Sequence, residues 1–241
     1  MKQRYIRFFK EVFKKDVPLV GGKNASLGEM IKNLSKKGVN IPDGFALTTR
    51  AYWRFLKFNK LDKKLKEIFS RFNPKSIKSL QETGKAARKA VLETKFPSDL
   101  EKEIVKAYKK LSAKYGENNM NVAVRSSGVA EDAPTTSFAG QFESFLNVSG
   151  EQKLLQSIKK CLASAFGDRV IAYRQEKKIN HLKFALSVGV QKMVRSDLAG
   201  SAGVMFTLDT ETGFPNVVLI NSVFGPGEEI VKGHLTPDEF Y

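Results

Sequence analysis

The chain has 241 residues, 41% of them hydrophobic and 27% charged, a soluble globular balance with length for one large domain or two smaller ones. Its single cysteine, Cys161, excludes an internal disulfide and a multi-cysteine zinc site. No apolar run reaches the ~18–20 residues of a membrane helix, and the opening MKQRYIRFFKEVFKKD is too charged for a secretory segment, so a reduced cytoplasmic setting is expected.

The net charge of +16 is uneven. Residues 1–120 carry 29 Lys and Arg against 12 Asp and Glu, while residues 121–241 carry 12 against 13. The excess lies mostly between Arg54 and Lys114, where Lys alternates with Leu, Ile, Phe and Ala at helical spacing, as in LDKKLKEIF (61–69). That is the pattern of helices with solvated lysine faces. Nucleic-acid binding would add interleaved aromatics or an RNP-type motif, and neither is present, so no nucleic-acid partner is expected. A basic surface that attracts nucleotides or acidic partners stays open.

In chain order, YIRFF (5–9) alternates weakly and reads as a strand. A glycine turn follows in VGGKNASLGEM (20–30). From Ala25 to Lys37 the spacing of Leu27, Met30, Ile31 and Leu34 predicts an amphipathic helix, with Gly38 as its stop. IPDGFALTT (41–49) reads as a turn and a short strand. A helical block spans about 50–116, broken near Asn73–Pro74 and Phe96–Pro97. NVAVRSS (121–127) begins as a buried strand that ends at Arg125, a polar loop follows (128–140), and QFESFLNV (141–148) alternates as a second strand. Two helices divided near Gly167–Asp168 fill 151–178. Strand-rich sequence returns in FALSVGVQKMV (184–194), GSAGVMFTL (200–208) and NVVLINSVF (216–224). A helical block followed by strands with helices between them predicts an α+β fold with mixed sheets, not a doubly wound sheet.

Three stretches carry chemistry. VGGKNASLGEM fails as a P-loop, which needs Gly, four residues, then Gly-Lys-Ser/Thr: counting back from Gly22 finds Val17, and Lys23 is followed by Asn24. What remains is either a plain helix start or a lysine presented to an anion at a glycine turn, where helix N–H groups and dipole favour negative charge. In VAVRSSGVAEDAPTTSFAGQFESFLNV (122–148), Arg125 offers a planar fork suited to phosphate. Hydroxyls at Ser126, Ser127, Thr135, Thr136 and Ser137 and the Ala139–Gly140 pair add donors and close backbone approach; the alternative is a surface hairpin. Gln191 sits in an apolar strand on the face it shares with Met193, where an amide beside an apolar wall suits an adenine edge; the alternative is a solvent-facing strand residue. His181, in a polar KINHLK segment, and His234, in KGHLTPD, lack the neighbours of a catalytic triad. Cys161 in IKKCLASAF reads as a buried structural thiol.

The order and spacing of VGGKNASLGEM, GVNIPDGFALTTRAYWRFL, VRSSGVAED, SFAGQFESFLNV, MVRSDLAGSAGVMFTLDTETGF and the closing PDEFY resemble one known family, nearly end to end. It is the N-terminal ATP-binding domain of the phosphoenolpyruvate synthase (pyruvate, water dikinase) family, within a wider group that includes pyruvate phosphate dikinase and rifampin phosphotransferase. The resemblance implies an ATP-grasp-like nucleotide-binding domain whose two lobes clamp ATP. Residues 1–195 would form the N-terminal lobe with the helical block, and 196–241 the start of a second lobe, C-terminally incomplete. It implies ATP and Mg²⁺ as cofactors, with Lys23 and Arg125 on the phosphates, Gly140 and Ser144 lining the phosphate and ribose region, and Gln191 at the adenine. In the family a phosphohistidine on a separate domain carries the phosphate to pyruvate on a third, giving phosphoenolpyruvate, AMP and phosphate. The Thr-Ser-His-Ala-like run of that histidine is absent here, so no catalytic residue is expected in this chain, and the expected metal ligands lie beyond Tyr241. Two alternatives stay open: a relative with another phosphoryl acceptor, and a non-catalytic nucleotide-binding module.

Overall fold

A computed structural model describes residues 5–129, 132–133, 136–137 and 143–241. The chain divides into two units, Met1–Met193 and Val194–Tyr241.

In the first unit, β1 (Ile6–Phe8) pairs with β2 (Gly44–Leu47), Ile6 opposite Leu47. Two 3₁₀ turns lead into α1 (Val17–Leu34), with Pro18 in the first turn, where a missing N–H is tolerated. The sequence predicted a helix only from Ala25, after a glycine turn. The glycine turn is present, since Gly21, at φ 74° and ψ 164°, is not helical, and what the sequence did not show is the short helical turn at 17–20 ahead of it. The helix closes through a 3₁₀ turn at Gly38, φ 85°, as expected.

The buried side of α1 also differs from the predicted apolar stripe. Val20, Asn24, Ala25 and Gly28 are buried, Leu27 and Ile31 are half-buried, and Met30 is 37% exposed. Small residues win because this side meets backbone: a Cβ on Gly28 would collide with the Val12 carbonyl.

The helical block is α2 (Thr49–Phe58), α3 (Leu61–Ser70), α4 (Ile77–Leu92) and α5 (Ser98–Lys114). The Thr48 side chain accepts from Ala51 N–H at the start of α2, and the Ser76 side chain accepts from Ser79 N–H at the start of α4. Both predicted breaks occur, and a third lies at Lys60, φ 54°. Then come β3 (Val122–Gly128), the two-residue strands β4 (Asp132–Ala133) and β5 (Thr136–Ser137), β6 (Ser144–Val148), α6 (Glu151–Ser164), α7 (Asp168–Glu176) and β7 (Leu186–Lys192).

The main sheet has the order β1-β2-β7-β3-β6. Mixed sheets were expected, but every strand pairing among the described residues is antiparallel. The helical block joins β2 to β3, which run the same way, yet the reversed strand β7 is inserted between them, so no parallel pair forms. Phe45, Leu47, Val122, Val124, Leu186, Val188 and Val190 pack with Phe55, Leu65, Ile104, Tyr108, Ile158 and Phe166 in one large cluster. Each such side chain contributes roughly 1.5–3 kcal/mol by burial. Tyr108 ties the cluster to its border, donating to Met120 O at 2.8 Å and accepting from Gly150 N at 3.0 Å.

The second unit comprises β8 (Ser201–Phe206), β9 (Leu219–Phe224), a single turn α8 (Glu228–Val231) and β10 (Asp238–Phe240), in the order β10-β9-β8. Asp209 organises its DTETG turn, accepting from Glu211 N at 2.9 Å and Thr212 Oγ1 at 2.8 Å. The Glu211 bond leads in holding the Asp209 carboxyl below its ordinary pKa.

Candidate functional site

Paired residues of neighbouring antiparallel strands share a face, so register alone maps the second face of the main sheet. Arg125 pairs with Gly189 of β7 and with Ser144 of β6, and Gly189 pairs with Ala46. The next row is Ala123, Gln191 and Gly44, and the row on the other side is Ser127 and Ser187. This face is small and polar where the opposite one is large and apolar. Arg125 and Gln191 are diagonal neighbours, about 7–8 Å apart at this spacing. Arg125 is exposed in mid-strand and does not end the strand as the sequence suggested, because Ser126, Ser127 and Gly128 continue the ladder to β7.

A bulge places Ser144. The register between β3 and β6 shifts between Val122 and Val124, and Asn147 takes φ 54° in the bulged strand. One extra residue flips every later side chain to the other face. Ser144 therefore stands opposite Arg125, and Phe145 stands opposite Val124, packed against the apolar cluster.

The kinked helix α1 lies on this polar face. Asn24 Nδ2 donates to Val20 O at 2.9 Å and to Ser187 Oγ at 3.1 Å, and Ser187 Oγ donates to Leu47 O at 2.6 Å. A Cβ on Gly189 would collide with Asn24 Oδ1, and one on Gly21 would collide with Ser127. The two glycines let helix and sheet meet backbone to backbone. Lys23, exposed, thus precedes the residue that touches the strand position opposite Arg125.

Gln191 is 8% exposed, and its Nε2 donates to Pro42 O at 3.1 Å. The alternative of a solvent-facing strand residue is therefore not what the fold contains. Pro42 is held in turn by Asp43. The Asp43 carboxylate accepts from Gly44 N and from the Lys114 ammonium, and its carbonyl accepts from Lys192 N at 2.8 Å. The Asp43 hydrogen bond leads in raising the Lys114 pKa.

Of the five residues singled out in the sequence, Arg125, Ser144 and Gln191 share one face in two adjacent rows, with the helix carrying Lys23 laid against it. Gly140 lies outside the described residues. Sequence reasoning missed Asn24 and the Pro42–Asp43 anchor; the signals were the asparagine after Lys23 and the IPDG turn, read only as a turn. Neither histidine belongs to this face. His181 stacks on Phe69 at 4.8 Å, and burial and the Arg174 charge push it down to about 4; His234 pairs with Glu229 at 2.9 Å. Among the described residues, no group of three or more His, Cys, Asp or Glu is placed to hold a metal ion. No helix among them is long and apolar enough to cross a membrane.

Comparison with known proteins adds to this geometry. Residues 17–241 match the family model described as pyruvate phosphate dikinase, AMP/ATP-binding domain. The phosphoenolpyruvate synthase of Helicobacter pylori is 52% identical over 238 residues, covering 99% of this chain and 29% of that protein. Those of Aquifex aeolicus (52% over 230 residues, 95% of this chain and 27% of the relative) and Synechocystis (50% over 240 residues, 98% and 29%) are similar. The chain thus spans under a third of the length of these relatives.

Proposed function

This chain belongs to the pyruvate phosphate dikinase, AMP/ATP-binding domain family, and on that premise we propose that it binds ATP, taken as ATP·Mg²⁺, for a phosphoenolpyruvate synthase-type reaction. In that reading ATP phosphorylates a histidine on another domain, and the phosphate passes to pyruvate, leaving AMP and phosphate. The nucleotide part is an ATP-grasp-like domain in a cytoplasmic enzyme, with residues 1–195 as the first lobe and 196–241 as the start of the second.

The observation that supports it is the small polar sheet face. Lys23 and Arg125 supply two cations for the phosphates, and Arg125 adds a bidentate fork. Ser144 stands at the phosphate and ribose region, with Gly140 assigned there by the family resemblance alone. With Nε2 committed to Pro42, Gln191 turns its Oε1 acceptor to the exocyclic amino group of adenine. Phosphoryl transfer depends mainly on positioning and charge neutralisation, and this donor set supplies both without any nucleophile of its own.

Calorimetric titration with ATP·Mg²⁺ tests the assignment. Lys23→Ala and Arg125→Ala should each weaken binding by about tenfold or more, the loss of one charge-assisted contact. If both bind as tightly as the parent chain, the site is misplaced. Gln191→Leu should reduce the preference for ATP over GTP while leaving triphosphate binding in place.

A further inference from the structure

A cavity lies on the other side of the main sheet, among the helices, and the nucleotide reading does not use it. It has a volume of about 380 Å³ and lies between α2, α3 and the segment that precedes β7. Tyr52, Trp53, Phe166 and His181 give it aromatic walls, and Leu56 and Leu65 add aliphatic surface. Its charged lining is two lysines, Lys63 and Lys66, against one carboxylate, Asp62, all exposed on the first turns of α3. The volume and lining fall in the range of small-molecule sites: mostly apolar, with a few charged groups at one side.

Behind this wall sits an uncompensated charge. Arg174 is fully buried. Its guanidinium donates to Ala165 O at 2.6 Å and to His181 O at 3.5 Å, and its Nε has no partner. It lies 5.7 Å from the Phe166 ring centroid and 5.0 Å from that of Phe184. Among the described residues no carboxylate pairs with it; the one ionisable group that acts on it is the Tyr52 hydroxyl, and burial pushes its pKa down to about 10. The same charge bears on Tyr52 and on His181. Three of the cavity's four aromatic walls, Tyr52, Phe166 and His181, therefore touch or feel a buried cation that has carbonyl and ring partners but no carboxylate among the described residues. Buried charge is costly without a counter-charge, and in this low-dielectric surrounding its field is little screened.

We propose that this cavity binds a small aromatic monocarboxylate of one or two rings. The rings stack on Trp53 over the buried floor of Tyr52 and Phe166, and the carboxylate faces Lys63 and Lys66. A cationic or neutral ring system of the same size gains the same apolar contact and none of the charge complementarity. The site is separate from the polar face of the sheet, so it does not rest on the nucleotide reading, and failure of either leaves the other standing.

Trp53 is the only tryptophan of the chain, so its emission reports on this cavity and nowhere else. The probe is 1-naphthoate, followed by Trp53 emission and by saturation-transfer NMR on the full chain, with 1-naphthalenemethanol as its neutral twin. Naphthoate should bind saturably and at least about tenfold more tightly than the alcohol, a difference of one close charge interaction. The double variant Lys63→Gln/Lys66→Gln changes only exposed side chains and should weaken naphthoate by about three- to tenfold while leaving the alcohol unchanged. Saturating ATP·Mg²⁺ and the Lys23→Ala substitution should both leave the naphthoate curve in place. Equal affinity for acid and alcohol, absence of saturable quenching, or an unaffected lysine variant would each overturn the proposal.

Discussion

The two faces of the main sheet are built from the same strands by opposite rules. On one face, Phe45, Leu47, Val122, Val124, Val188 and Val190 fill a large cluster under the helices. On the other, the same strands present Gly44, Ala46, Ala123, Arg125, Ser127, Ser187, Gly189 and Gln191, and a helix with a glycine kink lies against them. The first face is closed by volume. The second is closed by backbone proximity and a handful of hydrogen bonds, which leaves room for polar groups to meet a ligand. Under the proposed function, the bulk of the packing and the nucleotide contacts thereby lie on different sides of one sheet.

Substitutions that act on one face only would sharpen this contrast. The largest effect belongs to the helical face: Phe55, fully buried, should lose about 3–5 kcal/mol on Phe55→Ala through the cavity it leaves. Urea unfolding measures that loss, and ATP affinity of the folded protein at low temperature should stay within about twofold. A large change in ATP affinity would mean that the two faces are coupled. The next effect belongs to the polar face. Gly21→Ala puts a Cβ at φ 74° and into Ser127, costing about 1–3 kcal/mol in backbone strain and displacement. Here ATP binding should fall along with stability, because the helix that carries Lys23 must shift.

The smallest effect is a pH dependence confined to the helical face. His181 is held at about 4 against an ordinary 6.5, first by burial and then by Arg174. The folded state keeps the ring neutral while the unfolded chain takes up a proton near pH 6.5, so the unfolded state binds more protons between these values. The contribution is complete above pH 6.5 and is lost as pH falls toward 4. The ring is only partly buried, so the loss should be about 1 kcal/mol. Urea midpoints at pH 7 and pH 4.5 read it out, and His181→Gln should flatten this part of the pH slope.

The elements were legible in the sequence wherever a local signal sets them. Asn73–Pro74, Pro97 and Gly38 stop helices, alternation marks β6, and apolar runs mark β3 and β7. The two glycines marked a real break in the first helix, but the helical turn at 17–20 ahead of them was not read. In the fold they are contact points, and which side of that helix is buried depends on backbone groups of Val12 and Ser127 that no spacing rule announces. The residue types of the candidate site were visible, since an arginine and a glutamine in apolar strands are conspicuous. Their common face was not, because it follows from the register of β7 with two distant strands. The partner of Gln191 is Pro42, 149 positions away, and the position of Ser144 depends on a bulge at Asn147.

The central place of β7 has a consequence for how this unit is made. Its two neighbours, β2 and β3, begin at Gly44 and Val122, but β7 begins only at Leu186. Synthesis runs from the N-terminus at about 5–20 residues per second, so the middle strand of the sheet is the last to be produced. A nascent chain of 180 residues has made two ribbons, β1–β2 and β3–β6, each with an open edge waiting for the same strand. Such late, long-range closure is slow and leaves edges exposed to other chains. The polar face with Arg125 opposite Gly189 does not exist until that strand emerges and joins the two ribbons.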